Sequence, residues 1–141
     1  MTSLPNFTEI SDNLEFLDDW EDRYRYLIEL GQMLAPLSEN EHIEQNKVHG
    51  CASQVWLVVD EIEKDNKPVL IFRGDSDAAI VKGLVAIITS IFSNLTPNEI
   101  ISTNATNTLD KLNLNEHLTS QRSNGLKAMI ERIKVEAKSR L

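Results

Sequence analysis

The chain has 141 residues, enough for one domain, spanning 1–141, with a hydrophobic core. Hydrophobic residues make up 41% and charged residues 26%, ordinary for a globular protein and far from a disordered or membrane-embedded one. Fourteen basic against twenty-two acidic side chains give a formal net charge of −8, which argues against nucleic acid and anionic membranes as partners and suits a protein partner with a basic face. Met1 to Ile10 shows no basic stretch followed by an apolar core, so no secretory signal is expected. With one unpaired cysteine, a reducing compartment and hence the cytoplasm is the expected location.

In chain order, Thr8 to Leu17 predicts a short amphipathic helix. Asp18 or Asp19 can cap a second helix from Trp20, whose apolar positions Trp20, Tyr24, Leu27, Ile28 and Leu30 recur at helical spacing up to Gly31 or the turn after it. Ala35 to Asn46 is polar and reads as a loop laid over the surface. Val55 to Glu61 and Val69 to Arg73 read as two strands joined by a turn over Lys64 to Lys67, an antiparallel hairpin. A short third strand near Lys47 to His49 is expected beside them, since a lone hairpin is marginal. Gly74-Asp75-Ser76-Asp77 reads as a turn and helix cap, followed by a helix to Asn94 that is apolar nearly all round and so central. Its longest apolar run is interrupted by Lys82 and Gly83, so it is a buried helix and not a membrane span. Thr96-Pro97-Asn98-Glu99 is a capping box with proline at the first helical position, starting a short helix that ends near Ser102. Thr103 to Asn115 reads as irregular. Thr119 or Ser120 would cap the last helix, which runs to about Ser139 with Leu126, Met129, Ile130, Ile133 and Ala137 facing inward. Helices, a small antiparallel sheet, then helices make an α+β fold.

The single cysteine, Cys51, stands in His49-Gly50-Cys51-Ala52-Ser53-Gln54-Val55-Trp56, at the entry to the hairpin. One thiol cannot close an internal disulfide, and it falls short of the ligand set of a structural zinc or an iron–sulfur cluster. It can act as a nucleophile or carry a group. Glycine before it lets another backbone approach closely.

The run Gly50-Cys51-x-Ser53-Gln54-Val55-Trp56 resembles the sulfur-acceptor loop of the SufE family. Phe72-Arg73-Gly74-Asp75-Ser76-Asp77-Ala78-Ala79-Ile80-Val81-Lys82-Gly83-Leu84 is similar to its second signature, and His117-Leu118-Thr119-Ser120-Gln121-Arg122-Ser123-Asn124-Gly125-Leu126-x-Ala128-Met129 to its third. Trp20-Glu21-Asp22-Arg23-Tyr24 with Leu30-Gly31 adds to the likeness, which covers nearly the whole chain and does not separate SufE from its paralogue CsdE. The resemblance implies a fold like that of the iron–sulfur scaffold proteins. It implies that Cys51 accepts persulfide sulfur from a SufS-like cysteine desulfurase, stimulates its turnover, and passes sulfur to a downstream iron–sulfur scaffold. The pyridoxal phosphate belongs to the desulfurase, and no cofactor is expected on this chain. The rival reading is an allosteric interaction module of the desulfurase in which Cys51 is dispensable. A weak homodimer stays open.

Around Cys51, Ser53 and Gln54 can hydrogen-bond the loop, although Ser53 can equally cap a turn. Asp75 and Asp77 either cap the core helix or form an acidic corner that restrains the loop or meets the partner. A neighbouring carboxylate would raise the thiol pKa and keep the thiol quiet. Arg122, near the start of the last helix, opposes the helix dipole, so it pairs with Asp75, Asp77 or a partner carboxylate, or forms a surface ion pair. His49 reads as incidental to catalysis, and a thiol hydrolase built on Cys51 and His49 lacks a third group. His42, His49 and His117 have no zinc-like spacing, so no metal is expected. Trp20 and Trp56 read as core or groove anchors. Gly83 costs helix stability unless close packing, beneath the Cys51 loop for example, compensates.

Overall fold

The computed structural model describes residues 4–51, 53–112, 114 and 120–141, with the backbone alone at 120 and 121. Among the described residues six α-helices and two strands follow in the order α1 (Phe7–Phe16), α2 (Trp20–Gln32), β1 (Val55–Lys64), β2 (Lys67–Ser76), α3 (Ala79–Phe92), α4 (Pro97–Ser102), α5 (Ala105–Lys111) and α6 (Ser120–Lys138). This is the expected α+β arrangement.

Local chemistry sets the boundaries. Asn6 accepts from the Glu9 N–H to open α1, and Asp19 accepts from the Glu21 N–H to open α2. The Thr96–Glu99 capping box is closed in both directions, with Pro97 first in α4. The hairpin turns on Asp65 and Asn66, both left-handed at φ 53° and 64°, which matches the right-handed twist of the strands it joins.

Four expectations change. The strands are longer than the alternation suggested, ten residues each, paired from Val55–Ser76 to Lys64–Lys67. Gly74, Asp75 and Ser76 therefore belong to β2 and are no turn. Position 78 caps α3, without a side-chain hydrogen bond, so neither Asp75 nor Asp77 caps that helix. The third strand reduces to one bridge, Lys47 with Trp56, where the Val48 N–H donates to the Val55 carbonyl. Within the segment read as irregular, Asn104 accepts from the Asn107 N–H and starts α5. The cap on Thr119 lies outside the described residues, as does the side chain of Ser120.

One cluster of buried side chains unites these elements, with α3 at its centre: Ile80, Leu84, Val85, Ala86, Ile87, Ile88 and Phe92 are all buried. Helix α3 packs on α2, β2 and α6. Leu126, Met129, Ile133 and Ala137 of α6 are buried as expected, with Ile130 partly covered beside them. Helices α2 and α3 cross at their glycines. A Cβ on Gly31 would come within 2.6 Å of the Lys82 Cβ, and one on Gly83 would run into the Leu27 carbonyl. The compensation for Gly83 is thus the α2 crossing and not the Cys51 loop. Between α2 and the Cys51 loop, residues 33–49 form a strap over the sheet with 3-10 turns at Glu39–Glu41 and Glu44–Asn46, and its Leu37 and Val48 are buried.

Gly83→Ala should cost about 2 kcal/mol or more by overpacking, outweighing alanine's better helix propensity. Urea denaturation should show the loss; an unchanged or raised midpoint would disprove the close crossing.

Candidate functional site

The loop carrying Cys51 is tied at both ends. At its entry, the Arg132 guanidinium of α6 donates to the carbonyls of Gln45 (2.8 Å) and Lys47 (3.0 Å). At its exit, Gln54 meets the end of β2. The Gln54 N–H donates to Asp77 Oδ1 (3.0 Å) and its amide Nε2 to Asp77 Oδ2 (3.3 Å). The Gln54 carbonyl accepts from the Ser76 hydroxyl (2.7 Å) and the Asp77 N–H (3.3 Å). All this is possible only because β2 runs on through Ser76.

Between the ties, Gly50 takes φ +98°, a conformation that favours glycine, and a Cβ there would press on Ala128 of α6 at 3.2 Å. The turn lays Cys51 against the same helix. Its thiol donates to the Gly125 carbonyl over a Sγ···O distance of 3.6 Å. Beneath it, Ser53, Val81, Leu84, Arg122, Gly125 and Met129 line a cavity of about 20 Å³ that also touches Cys51. That is room for about one water-sized atom. Burial pushes the Cys51 thiol pKa up. The sequence suggested that a neighbouring aspartate would raise the thiol pKa; in the structure the cause is burial.

The predicted residues thus separate into two groups. Gly50, Cys51, Ser53 and Arg122 gather at the cavity, and Gln54 with Asp77 forms the clamp beside it. Asp75 sits elsewhere: its side chain points toward the strap, receiving His42 Nε2 at 2.7 Å, the Ser76 N–H at 2.8 Å and Lys82 Nζ at 3.5 Å. Burial disfavours its charge, but those partners together hold its carboxyl below the usual range. His49 is exposed and its Nε2 lies 3.4 Å from Glu44 Oε1. Trp56 makes a T-shaped contact with His42 at 4.8 Å between ring centroids, and Trp20 packs against the core beside Tyr24. His117 lies outside the described residues. Among the described residues no group of three or more His, Cys, Asp or Glu side chains is placed to hold a metal, and no helix is long and apolar enough to cross a membrane.

Residue-by-residue reading missed several contributors. Gly125 and Met129 stood inside the third motif but carried no chemical signal of their own. Arg132 and His42 had none, because the partners they serve are 85 and 33 positions away. A larger cleft of about 660 Å³, lined among others by Gln32, Leu34, Phe72, Gly74 and Thr89, opens away from Cys51.

Comparison with known proteins agrees with the motifs. The family model described as "SufE: Fe-S metabolism associated domain" matches residues 8–137. The chain is 52% identical to an uncharacterized SufE-like protein of Rhizobium meliloti over 100% of this chain and 99% of the relative. It is 50% identical to an uncharacterized SufE-like protein of Rhizobium etli, over 97% and 93%. A solution structure of a hypothetical protein from Thermus thermophilus superposes with a TM-score of 0.69 at 20% identity, covering 98% of this chain and 97% of that one, a likeness of fold.

Alkylation of Cys51 by iodoacetamide, followed by intact mass, should be half-maximal at a higher pH in the native protein than in the urea-unfolded chain. A native midpoint at or below the unfolded one would contradict a shielded thiol.

Proposed function

The chain belongs to the SufE family, whose domain is associated with Fe–S metabolism, and from that premise we propose that it is a sulfur acceptor whose Cys51 takes persulfide sulfur from a SufS-like cysteine desulfurase. The observation that carries this reading is a lone, half-buried thiol at a loop tip, set over a cavity of about 20 Å³. A thiol kept only for packing has no use for an adjoining space; a thiol that gains one atom does.

The chemistry is thiol exchange. The Cys51 thiolate attacks the outer sulfur of the desulfurase persulfide. A new S–S bond forms to Cys51, the bond to the desulfurase cysteine breaks, and that cysteine departs as thiolate. No net oxidation occurs, since the sulfane sulfur moves with its oxidation state. In the closed loop the raised pKa keeps Cys51 protonated and slow. Docking therefore has to lift the sulfur from Gly125 into the partner's site, where the proton leaves. Arg122, a cationic residue among those lining the cavity, would favour an anionic persulfide once the loop closes again. Val81, Leu84 and Met129 shield that atom from stray reductants until it is handed to an iron–sulfur scaffold. Relieving the desulfurase of its persulfide would also speed its turnover.

Intact mass after incubation with a cysteine desulfurase and cysteine tests this. Wild type should gain the mass of one sulfur, removed by reductant, and Cys51→Ser should gain none and fail to stimulate turnover. Stimulation retained by Cys51→Ser would overturn the acceptor role in favour of an allosteric module.

A further inference from the structure

The strap residue His42 faces hydrogen-bond acceptors on both sides. Its Nδ1 lies 2.8 Å from the Ser38 carbonyl and its Nε2 2.7 Å from the Asp75 carboxylate. A carbonyl oxygen only accepts, and an ionised carboxylate only accepts, so both contacts are hydrogen bonds only when both ring nitrogens carry hydrogen. The geometry calls for an imidazolium.

We propose that His42, as an imidazolium bridging Ser38 to Asp75, is a positioning residue that holds the Cys51 loop closed, and that loss of its proton loosens the loop and makes the thiol more accessible. The proposal deepens the sulfur-acceptor reading by assigning regulation to the same site, and it rests on that reading for its purpose but not for its test.

Two connections lead from His42 to the loop. The first runs through Asp75, whose other oxygen accepts the Ser76 N–H, while the Ser76 hydroxyl holds the Gln54 carbonyl at the loop's exit. The second runs through the Trp56 ring, on which His42 stands edge-on, and Trp56 is the residue bridged to Lys47 at the loop's entry. Removing the proton leaves a lone pair facing one of two oxygens, so one side of the bridge opens. Where the Asp75 side opens, that carboxylate keeps Lys82 and the Ser76 N–H as partners, and the strap is left with the Glu41–Arg73 pair as its charged tie to β2.

The charged groups facing His42 favour its proton. Asp75 of β2 contacts it directly, and Glu41 of the strap lies near; Lys82 of α3 and Arg73 of β2 reach it only through Asp75 and Glu41, which they pair. The Asp75 hydrogen bond, aided by the Ser38 carbonyl and against a smaller opposing effect of burial, raises the His42 pKa above its ordinary value. For a base whose pKa is raised by folding, the stabilisation is complete below the unfolded value and is lost as pH rises through the folded one. The His42 bridge is thus complete on the acid side of that window and lost on its alkaline side.

The test uses the free protein and needs no desulfurase, so it can fail while sulfur transfer succeeds, and the reverse. The rate of Cys51 alkylation by iodoacetamide is followed against pH, and the His42 ring is titrated by NMR. Wild type should show two ionisations, the thiol and the imidazolium, the second raising the rate roughly two- to fivefold, the equilibrium equivalent of a part-exposed ion pair. His42→Gln should show the thiol alone, with the faster rate at all pH values. Asp75→Asn should lower the His42 pKa and move the second ionisation with it, which keeps the test decisive if His42→Gln folds poorly. A wild-type profile with one ionisation, or a His42 pKa at or below the unfolded value, would overturn the proposal.

Discussion

The site depends on β2 continuing past the point where its sequence looks finished. Gly74-Asp75-Ser76-Asp77 has the composition of a turn, yet Gly74, Asp75 and Ser76 pair with Leu57, Trp56 and Val55. That extension brings Ser76 and Asp77 to Gln54, where four hydrogen bonds, two to the backbone N–H and side-chain amide and two to the carbonyl, fix the exit of the Cys51 loop. Strand pairing supplies a rigid support that a flexible turn would not, and a thiol at a loop tip is only as well placed as the backbone on either side of it. The same extension turns Asp75 away from the cysteine and toward the strap, so neighbouring aspartates serve different segments.

Charge does most of its work on the strap. Arg73 of β2 forks between Asp60 of β1 and Glu41, lowering the Glu41 carboxyl pKa to about 2, and its own pKa is raised in turn. The strap is polar and buries only Leu37 and Val48 among its described apolar side chains, so apolar contact alone would leave it loose; the Arg73 fork and the His42 bridge add restraint. On the far side, Glu136 sits between Arg132 and Arg140 on α6. Burial works against its charge, while the two guanidinium groups hold its carboxyl below the ordinary range and steady the arginine that grips Gln45 and Lys47. In a chain of net charge −8, Arg73 and Arg132 are two cations placed where the strap has to be held in position.

Helices with strong local signals were legible in the sequence: the Asp19 cap, the Thr96–Glu99 box, and the apolar stripe of α6 each depend on residues a few positions apart. The hairpin was legible in kind but not in length: beyond Val59 β1 leaves the core and apolar alternation stops marking it, and the far end of β2 has the composition of a turn. Helix α5 was hidden because Asn and Thr favour loops locally, while burial of Ala105 and Leu109 decides for helix. Cys51, Ser53, Gln54, Asp77 and Arg122 were recognisable by motif, and the structure brings them together or side by side. Asp75 was assigned the wrong neighbour, and His42 was passed over, for one reason: a strap residue's role is set by what it lands on, and spacing along the chain carries no trace of that.

A sulfur carrier has to satisfy opposing demands. Exchange is fastest for a thiol whose pKa lies near ambient pH, and a persulfide survives longest where no other thiol can reach it. A single static environment cannot meet both, since the burial that protects the sulfur also suppresses the thiolate. The Cys51 loop resolves this by being held through polar contacts at its ends and only lightly at its tip, where a 3.6 Å Sγ···O contact to Gly125 is the sulfur's hydrogen bond. Such a loop can release its tip while Gln54 stays clamped, so opening need not disturb the hydrophobic core beneath. On the proposed reading the energy to open it would come from the partner's surface, which would couple exposure of the sulfur to the presence of the protein that receives or delivers it.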